Sequence, residues 1–492
     1  MKFSLIWKLF TALILSALIV ACGGGGGGGG ASSGSSAGVS SGVISGFGSV
    51  VVNGVKFDDN GTDILVVDGD DSSSNDDRVG SRSDLEVGMV VEVENESRGN
   101  SQHANQIRVE DVVKGQIQTV DAVNGTLLVL GQTIIVDSQT SFTGRDSGGV
   151  LITDITGFAG SDYVEVSGFS KPDGSILATL IQKKTYQAGV STLKVKGKIN
   201  TLASTTFTIN AQTIDFLSAP ALIKPNGTNL KAGDFVVVKT KLTPAALGDT
   251  LIAQKIKVKN NRLQVRDGHK IEVEGIIESI DLVNKTIVIN GITIDASSLS
   301  NLGALSAGQK IEVEGVLVNG VLIPSKSKNE QESTIRMEAP IQALSSTSVT
   351  VLGQVFNVNA FTRFEDKVSG TRPFNVENFA TVLQTGDRIA IRAIQDANGG
   401  LIATRLERIE PRSGVLVQGP VTAKTPSTAL TILGVTVNIL PDTQFRGTTS
   451  SAIFNDAQTP LQTLLKAKGV APSDTTNVIN ATEIEVENHN SD

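Results

Sequence analysis

A hairpin signature recurs six times along this chain of 492 residues, and it limits the possible folds more than any other feature. Each copy places alternating apolar residues on both sides of a tight turn. Tight hairpin turns need positive φ angles, which glycine and asparagine adopt readily, and Asn53-Gly54 and Asn290-Gly291 are the strongest such signals. The turns are centred 62 to 81 residues apart, which predicts six tandem units of roughly domain size. The turn positions are Gly54, Gly131, Ala211, Gly291, Gly353 and Gly434.

Two further markers follow the hairpin within the units. The first is Leu-x-x-Gly before a strand with period-two alternation, and the second is a closing strand with Ala-x-x-Ile or Ala-x-x-Leu. Strict alternation indicates strands with one buried and one wet face. Five or six short strands per unit predict an all-β chain of tandem small antiparallel barrels or sandwiches. The marker glycines are Gly88, Gly233, Gly308 and Gly386, and the closing motifs begin at Ala104, Ala178, Ala253, Ala403 and Ala481.

A phenylalanine follows the hairpin in three units, in the sequences Thr140-Ser141-Phe142, Thr362-Arg363-Phe364 and Thr443-Gln444-Phe445. We interpret these phenylalanines as core residues that close one end of a barrel. A role in stacking on a ligand is the alternative.

Polar breaks between the markers suggest the domain boundaries. The sequence leaves open whether the units form beads on short linkers or pack end to end. The predicted segments are a signal peptide at 1–21, a Gly/Ser tether at 22–41, and repeats at 42–110, 111–184, 190–259, 270–328, 335–410 and 413–487.

The order of these markers resembles the bacterial family of the domain of unknown function 5666, over nearly all of residues 39–487. The resemblance implies a secreted protein or lipoprotein with tandem copies, and it brings no catalytic residues. Two units depart from the pattern, because the fourth has Leu322-Ile323-Pro324 in place of the closing motif and the sixth lacks Leu-x-x-Gly. We expect those two units to be shortened or distorted. Small barrels of this kind also resemble the oligonucleotide/oligosaccharide-binding fold.

The N-terminal residues have the pattern of a targeting segment. Lys2 and Lys8 precede and interrupt an apolar stretch whose uninterrupted part, 9–21, is shorter than the roughly 20 residues of a membrane span, so it is typical of a signal peptide. Cys22 follows directly and has no other cysteine to pair with, which leaves a free thiol, an intermolecular bridge or a modified sulfur.

The sequence Ile19-Val20-Ala21-Cys22 resembles the lipobox of bacterial lipoproteins, in which the cysteine thiol is acylated and anchors the protein. The resemblance implies acyl chains such as palmitate on Cys22. Gly23 in place of aspartate implies passage to the outer membrane of a bacterium that has one. An ordinary secretory signal cleaved nearby is the alternative.

Residues 23–42 are glycine, serine and alanine with one valine, Val39. This composition buries almost no apolar surface, so we interpret the segment as a flexible tether.

Charge and residue inventory argue against several functions. Loss of the signal, with two lysines and no acidic residue, changes the formal net charge from −8 to −10, which disfavours nucleic-acid partners. The loss also removes Trp7 and leaves two tyrosines for stacking on bases or sugars. The three histidines, His103, His269 and His489, fall in different units, so they suggest neither a metal site nor a catalytic triad.

Carboxylates at alternating strand positions, such as Glu272 and Glu274 or Glu312 and Glu314, are interpreted as parts of solvated strand faces rather than as catalytic pairs.

An acidic loop in the first unit could bind calcium, which favours six to eight oxygen ligands. Ser73 and Val79 stand where a known calcium loop needs glycine and glutamate, so a disordered acidic loop is the competing interpretation. The candidate ligands are Asp68, Asp70, Ser72 and Asp76.

These observations favour a non-enzymatic, lipid-anchored protein of the bacterial cell envelope that serves as a scaffold, spacer or adhesion surface. Its expected partners are the membrane, through the lipid, and a protein or glycan. An envelope ligand-binding protein is the alternative, with an oligosaccharide favoured over nucleic acid. An enzyme is the third class, and no cofactor is expected apart from the calcium considered above.

Overall fold

The computed structural model describes residues 37–66, 78–99, 101–218, 221–225, 228–259, 266–299, 302–329, 333–473 and 476–486. All of them lie in one compact unit that begins at Ser36. They are mostly β-strand, with two short helices, α1 (Phe379–Val382) and α2 (Ser450–Ile453). Four 3-10 helices are Arg82–Asp84, Ile155–Gly157, Ala296–Ser298 and Leu302–Ala304. Within these ranges, every helix is too short or too polar to cross a bilayer.

The prediction of an all-β chain of tandem small barrels is confirmed. The strands of barrel 1 are β1 (Ala37–Gly46), β2 (Val50–Val52), β3 (Val55–Asp58), β4 (Asp63–Val66), β5 (Arg78–Val79), β6 (Val90–Arg98) and β7 (Ser101–Val109). Those of barrel 2 are β8 (Val113–Asp121), β9 (Thr126–Val129), β10 (Gln132–Ile135), β11 (Ser141–Thr143), β12 (Tyr163–Ser170) and β13 (Ile176–Lys184). Those of barrel 3 are β14 (Leu193–Lys198), β15 (Thr201–Leu202), β16 (Thr206–Ile209), β17 (Gln212–Asp215), β18 (Leu222–Lys224), β19 (Phe235–Thr240), β20 (Leu251–Ile252) and β21 (Lys255–Val258).

The second half of the chain repeats the arrangement. The strands of barrel 4 are β22 (Lys270–Asp281), β23 (Thr286–Ile289), β24 (Ile292–Asp295), β25 (Lys310–Val318) and β26 (Val321–Asn329). Those of barrel 5 are β27 (Ile335–Leu344), β28 (Ser348–Val351), β29 (Gln354–Asn357), β30 (Arg363–Asp366), β31 (Arg388–Gln395) and β32 (Leu401–Arg408). Those of barrel 6 are β33 (Val415–Thr425), β34 (Ala429–Ile432), β35 (Val435–Arg446), β36 (Leu464–Val470) and β37 (Val478–Val486).

Every barrel closes with the same connectivity. In barrel 4, β22 pairs with β23, β23 with β24, β24 with β26, β26 with β25, and β25 returns to β22. Only the β24–β26 pair is parallel. The same order in all six units defines five-stranded Greek-key barrels of the oligonucleotide/oligosaccharide-binding type. Barrel 3 differs only in that its first and fifth strands are each split into two, β14/β15 and β20/β21.

The hairpin turns have the predicted conformation. Asn53 and Gly54 have φ angles of 52° and 75°, and Asn290 and Gly291 have 48° and 70°. In barrels 2, 5 and 6 a buried leucine with φ of 47° to 50° takes the place of asparagine. Leu130 packs over Gly115 of the first strand, where a Cβ atom would lie 2.6 Å from the leucine Cγ. Burial of the leucine therefore accompanies a backbone conformation that is unfavourable for it.

The Leu-x-x-Gly motif closes the barrel. Its glycine has a φ of 88° to 95°, and its N–H donates at 2.8 to 2.9 Å to a carbonyl oxygen of the first strand, at the residue where that strand changes register or, in barrel 3, is split. In barrels 2 and 6, Ser161 and Gln462 take this place with φ of 72° and 74° and make the same hydrogen bond. The sixth barrel, expected to be distorted, therefore closes like the others without the motif. The glycine-to-first-strand pairs are Gly88 with Ile44, Gly233 with Ile199, Gly308 with Ile277, and Gly386 with Ile341.

The threonine of each Thr-x-Phe sequence makes a hydrogen bond to the closing strand. In the three units, its Oγ1 donates to the carbonyl oxygen of the closing-motif alanine at 2.7 to 2.8 Å, as from Thr140 to Ala178. Phe142 and Phe364 are 2% exposed, which confirms that they are core residues. Phe445 is half-buried and packs against the core of barrel 6.

Barrel 4 tolerates its departure from the closing motif. Leu322 is fully buried, and Pro324 lies opposite Gly315 where β25 and β26 shift register. The barrel closes with five strands. In the other barrels an additional segment, such as β11 or β30, also runs parallel to the fifth strand, and the described part of barrel 4 has no such segment.

The barrels are joined in pairs through their first strands. β8 pairs with β14 and β27 with β33, both antiparallel, whereas β1 pairs with β22 in parallel. Barrels 2 and 3 share one apolar cluster, as do barrels 5 and 6. Barrels 1 and 4, far apart in sequence, are thus brought together by strand pairing. The described barrels pack against one another rather than forming separate beads.

The first strand begins earlier than expected. β1 starts at Ala37, within the segment predicted as tether, and Val39 is 5% exposed. Gly38 fits here because a Cβ atom would lie 3.0 Å from the carbonyl oxygen of Lys270 on the paired strand β22. Small residues in 37–41 therefore allow close strand pairing.

Candidate functional site

The predicted lipidation and calcium sites lie outside the described residues. This applies to Cys22 and to the acidic loop residues Asp68, Asp70, Ser72 and Asp76. Both remain predictions from the sequence.

The histidines lie in unrelated places. His103 in β7 is 8% exposed, and its Nδ1 is 3.8 Å from Asp58 Oδ2. His269 lies in the turn before β22, and His489 is outside the described ranges. Across those ranges, His, Cys, Asp and Glu side chains form no group of three that could hold a metal ion.

The second and third strands form the face through which folds of this type bind oligonucleotides and sugars. In barrel 4 this face presents the half-buried side chains of Thr286, Val288 and Thr293. In barrel 5 it presents Thr350 and the exposed Val355. Threonine and valine offer hydroxyl groups and small apolar surfaces rather than aromatic platforms for stacking.

A dense polar cluster lies instead on the outer face of barrel 5, against barrel 2. We call the surface between these two barrels the 2–5 seam. Four arginines on neighbouring strands are directly paired in register, which places their side chains side by side on one face. They are 1% to 8% exposed. We call Arg336, Arg392, Arg405 and Arg363 the arginine row.

Carboxylates two residues further along three of these strands pair with the arginines. Arg336 and Arg412 both bind Glu338, and Arg405 Nη2 lies 2.5 Å from Glu407 Oε1. Lys367 Nζ lies 2.6 Å from Glu407 Oε1. Because these groups are buried, removing one member of an ion pair here would destabilise the protein far more than removing one member of a surface ion pair.

Burial and neighbouring charges shift the pKa values of these groups in opposite directions. Burial raises the pKa of Glu365, and the nearby Glu407 charge adds to the rise against the attraction of Lys367. The pKa of Glu407 is lowered in spite of burial, because Arg405 and Lys367 stabilise its charged form. Burial, together with the positive charges of Arg336 and Arg405, lowers the pKa of Arg392 to about 9.

Backbone carbonyl groups of barrel 2 complete the 2–5 seam. Arg405 Nη1 donates to Thr140 O at 2.5 Å, and Lys367 Nζ donates to Phe142 O at 2.8 Å. Arg145 and Glu410 form an exposed ion pair at 2.6 Å at its edge. The cations therefore serve both as partners of the carboxylates and as hydrogen-bond donors across the seam.

The seam between barrels 1 and 4 is acidic. Ser40 Oγ donates to Glu272 Oε2 at 3.0 Å, and Val43 N donates to Glu274 Oε2 at 2.8 Å. Lys310 pairs with Glu274. Burial raises the pKa of Glu272 to about 7, against the hydrogen bond from Ser40.

The interpretation of these carboxylates as solvated is therefore wrong for Glu272 and Glu274, which are 9% and 3% exposed. The alternation correctly places them outside barrel 4, but β1 of barrel 1 covers that face. Glu314 is half-buried between Lys270 and Lys326 at 2.5 and 3.0 Å.

Barrels 2 and 3 carry a row of lysines across their paired strands: Lys114, Lys194, Lys239 and Lys255. Lys114 Nζ lies 3.1 Å from Asp111 and 3.3 Å from Glu165. These two carboxylates raise the pKa of Lys114 in spite of burial. At the edge of this row, Glu110 of barrel 1 binds Lys196 and Lys259 of barrel 3 at 2.8 and 2.5 Å.

Sequence reasoning missed all three charged seams. The available signal was the alternation of charge with apolar residues, as in Arg336-Met337-Glu338 and Arg405-Leu406-Glu407. Such alternation indicates an outward face. It does not reveal that another barrel covers that face.

Comparison with known proteins agrees with the repeat architecture. A family model described as "Domain of unknown function (DUF5666)" matches residues 114–182, 196–257, 274–325, 338–407 and 418–485, which together make up more than half of the chain. These segments correspond to barrels 2 to 6. No curated protein matches the chain. The drosophila Unr CSD456 structure aligns at 12% identity over 61% of this chain and 98% of that chain, with a TM-score of 0.11, and at that score it carries no argument.

Proposed function

Because the chain belongs to the family of the domain of unknown function (DUF5666), we propose that it is a non-enzymatic scaffold of tandem β-barrels at the bacterial cell envelope, anchored through acylated Cys22. One observation carries the scaffold role. The residues that recur in the units serve to close the barrels, and the residues that vary on the outer faces join the barrels to one another.

The recurring residues act in hydrogen bonds and turns rather than in an exposed site. Gly308 donates its N–H to Ile277 O at 2.8 Å, and the corresponding hydrogen bond occurs in all six barrels. Thr362 Oγ1 donates to Ala403 O within barrel 5. A repeat whose shared residues are used for closure is suited to building a body of fixed geometry.

The anchor is supported by the sequence before β1. A charged start, an apolar run and Ile19-Val20-Ala21-Cys22 precede a glycine-rich stretch that ends where β1 begins at Ala37. Glycine-rich segments of that length typically reach about 20 Å, which would suit a tether between a lipid anchor and a folded domain. Gly23 favours the outer membrane as the destination, with a protein or glycan of the envelope as partner.

Replacement of Cys22 tests the anchor. In the native host, we expect Cys22→Ser to lose metabolic palmitate labelling and to leave the membrane fraction, because acylation needs the thiol. Ser33→Ala, within the same glycine-rich stretch, serves as the matched control and should stay labelled and membrane-bound. A Cys22→Ser protein that remains in the washed membrane fraction would contradict the anchor.

Oligosaccharide binding is the second candidate, favoured by an open hollow of about 670 Å³ on barrel 6. Hydroxyl groups and one aromatic ring line it, a combination that suits sugars. We expect a glycan array to give hits that Phe454→Ala removes, and an array without hits would exclude this candidate. The lining residues are Ser427, Thr449, Ser450, Ser451, Phe454 and Asn455.

A further inference from the structure

The carboxylates beside the arginine row form a second row with one member missing. In register, Glu338 of β27 pairs with Ala390 of β31, Ala390 with Glu407 of β32, and Glu407 with Glu365 of β30. Three of the four strands therefore present a carboxylate at this level. The side chain of Ala390 ends at Cβ, so β31 itself places no charge at this level.

The missing carboxylate coincides with an unpaired cation on the same strand. Arg392 lies two residues from Ala390, and the two side chains are on the same face of β31. Its residue exposure is 8%, and its Nε is buried without a hydrogen-bond partner. Within the described ranges, no hydrogen bond or ion pair reaches the Arg392 guanidinium.

The neighbouring arginines do have partners. Arg336 binds Glu338, and Arg405 binds Glu407 and the carbonyl oxygen of Thr140. Arg363 Nη1 donates to Gln139 O at 3.3 Å. The lack of a partner is therefore specific to Arg392, which sits between Arg336 and Arg405 in the row.

A buried guanidinium without a hydrogen-bond partner lowers the stability of the folded protein. A buried charge without a partner loses its hydration, and like charges on directly paired strand positions repel each other. The pKa of Arg392, lowered to about 9, still leaves the group protonated at neutral pH. The four strands therefore carry four arginines at one level and three carboxylates, Glu338, Glu407 and Glu365, at the next, so one positive charge has no matching carboxylate.

We propose that the 2–5 seam binds a small oxyanion beside Ala390, where the anion replaces the missing carboxylate and accepts hydrogen bonds from Arg392. The anion class is a carboxylate, phosphate or sulfate, because the planar guanidinium fork matches two oxygens of such a group. The anion would also counter the repulsion between Arg392 and its neighbours Arg336 and Arg405. This site is separate from the lipid anchor and from the hollow on barrel 6.

Anion titration of the full chain carrying Cys22→Ser, which gives unanchored protein for solution work, tests the proposal. Acetate, phosphate and sulfate are titrated separately at constant ionic strength in chloride, and binding is followed by calorimetry and by the shift in melting temperature. We expect saturable binding of at least one of these probes, with a rise in melting temperature that saturates over the same range. Acetate binding assigns the site to carboxylates, and phosphate or sulfate binding assigns it to tetrahedral oxyanions.

Two variants locate the binding. Arg392→Met should lower the affinity at least tenfold, and Ala390→Glu should abolish binding because it supplies the carboxylate within the chain. Ala390→Glu should also melt higher than the parent protein in anion-free buffer. Arg98→Met, at an exposed ion pair of barrel 1, is the control that should leave binding unchanged.

Several outcomes would overturn the proposal. One is the absence of saturable binding of all three probes to the parent protein. Another is full binding retained by Arg392→Met or, should that variant fail to fold, by Ala390→Glu.

Discussion

The interiors of the barrels and the seams between them are built by different chemistry. The interiors hold valine, isoleucine, leucine and phenylalanine, and the same closure hydrogen bond occurs in all six barrels. The seams hold arginine, lysine and glutamate in arrangements that differ from one barrel pair to the next. Arg405 reaches Thr140 across the 2–5 seam, whereas Ser40 reaches Glu272 between barrels 1 and 4.

This difference separates the fold of a unit from the choice of its neighbour. Apolar burial is non-directional and favours any compact barrel of the right volume. A buried charge tolerates only a neighbour that supplies its counter-charge or hydrogen-bond acceptor. The repeated residues can therefore make six similar barrels, while the unrepeated charges select which barrels meet.

The largest expected effect comes from the interior. Phe364 is 2% exposed and packs against Phe374 and Phe379 at ring-centroid distances of 5.4 and 5.7 Å. Phe364→Ala should lower the free energy of unfolding of barrel 5 by about 3–5 kcal/mol in denaturant titrations. Phe361→Ala, at a residue that is 48% exposed and contacts the Lys328 ammonium, is the control and should cost about 1 kcal/mol or less. Equal effects of the two changes would contradict the assignment of interior and surface.

A slightly smaller loss is expected at the 2–5 seam. Glu407→Gln removes the carboxylate shared by Arg405 and Lys367 and should lower the free energy of unfolding by about 3 kcal/mol. The double variant Arg405→Met with Glu407→Leu should recover part of this loss, because it removes Arg405 and Glu407 together and leaves Lys367 with Glu365 at 3.9 Å. A loss of unfolding free energy in the double variant that equals or exceeds the summed losses of Arg405→Met alone and Glu407→Leu alone would contradict the assignment of these residues as a buried ion pair.

The seam between barrels 1 and 4 predicts a pH dependence that an apolar interior lacks. A carboxyl whose pKa is raised on folding stabilises the protein below its unfolded pKa and loses this contribution as pH rises through the folded pKa. Because the pKa of Glu272 is raised to about 7, its contribution should fall by about 2 kcal/mol between pH 4.5 and pH 7. Glu272→Gln should remove this part of the pH profile, measured as the difference in unfolding free energy between parent and variant. A difference that stays constant over this range would contradict the shift.

The smallest effect concerns closure of barrel 6. Gln462 adopts a φ of 74°, at the place where barrels 1, 3, 4 and 5 have glycine. Gln462→Gly should raise the free energy of unfolding by up to about 1 kcal/mol, since glycine adopts this conformation without steric strain. The converse change in barrel 5, Gly386→Ala, should lower it by a similar amount, and thermal melts of both variants check the sign. A destabilised Gln462→Gly protein would indicate that its side chain matters more than its backbone.

Local features of the fold could be predicted from the sequence because they depend on neighbouring residues. The turn at Asn53-Gly54, the alternating strands and the buried Phe142 follow from φ preferences and hydrophobic period. The closure role of Gly308 could not be derived, because its partner Ile277 lies in another strand. Neither could the burial of Glu272, since an alternating pattern does not say what covers the outer face.

The same reasoning explains why the candidate anion site escaped the sequence. Arg392 is one of many charged residues at outward strand positions. Only the register of the neighbouring strands shows that Ala390, two residues away on β31, lies between Glu338 and Glu407 where a carboxylate is missing. Cys22, by contrast, is predicted from a purely local pattern.

The pairing of barrel 1 with barrel 4 is the most direct test that the seams select neighbours. Ser40 and Glu272 are paired in register on β1 and β22, within the range at which two cysteines can join. In a Cys22→Ser background, the Ser40→Cys, Glu272→Cys protein should form an intramolecular disulfide under mild oxidation, detected by mass spectrometry of the linked peptides. Ser40→Cys with Glu312→Cys, one strand further away, should not. Failure of the first pair to crosslink in the folded protein would contradict the account.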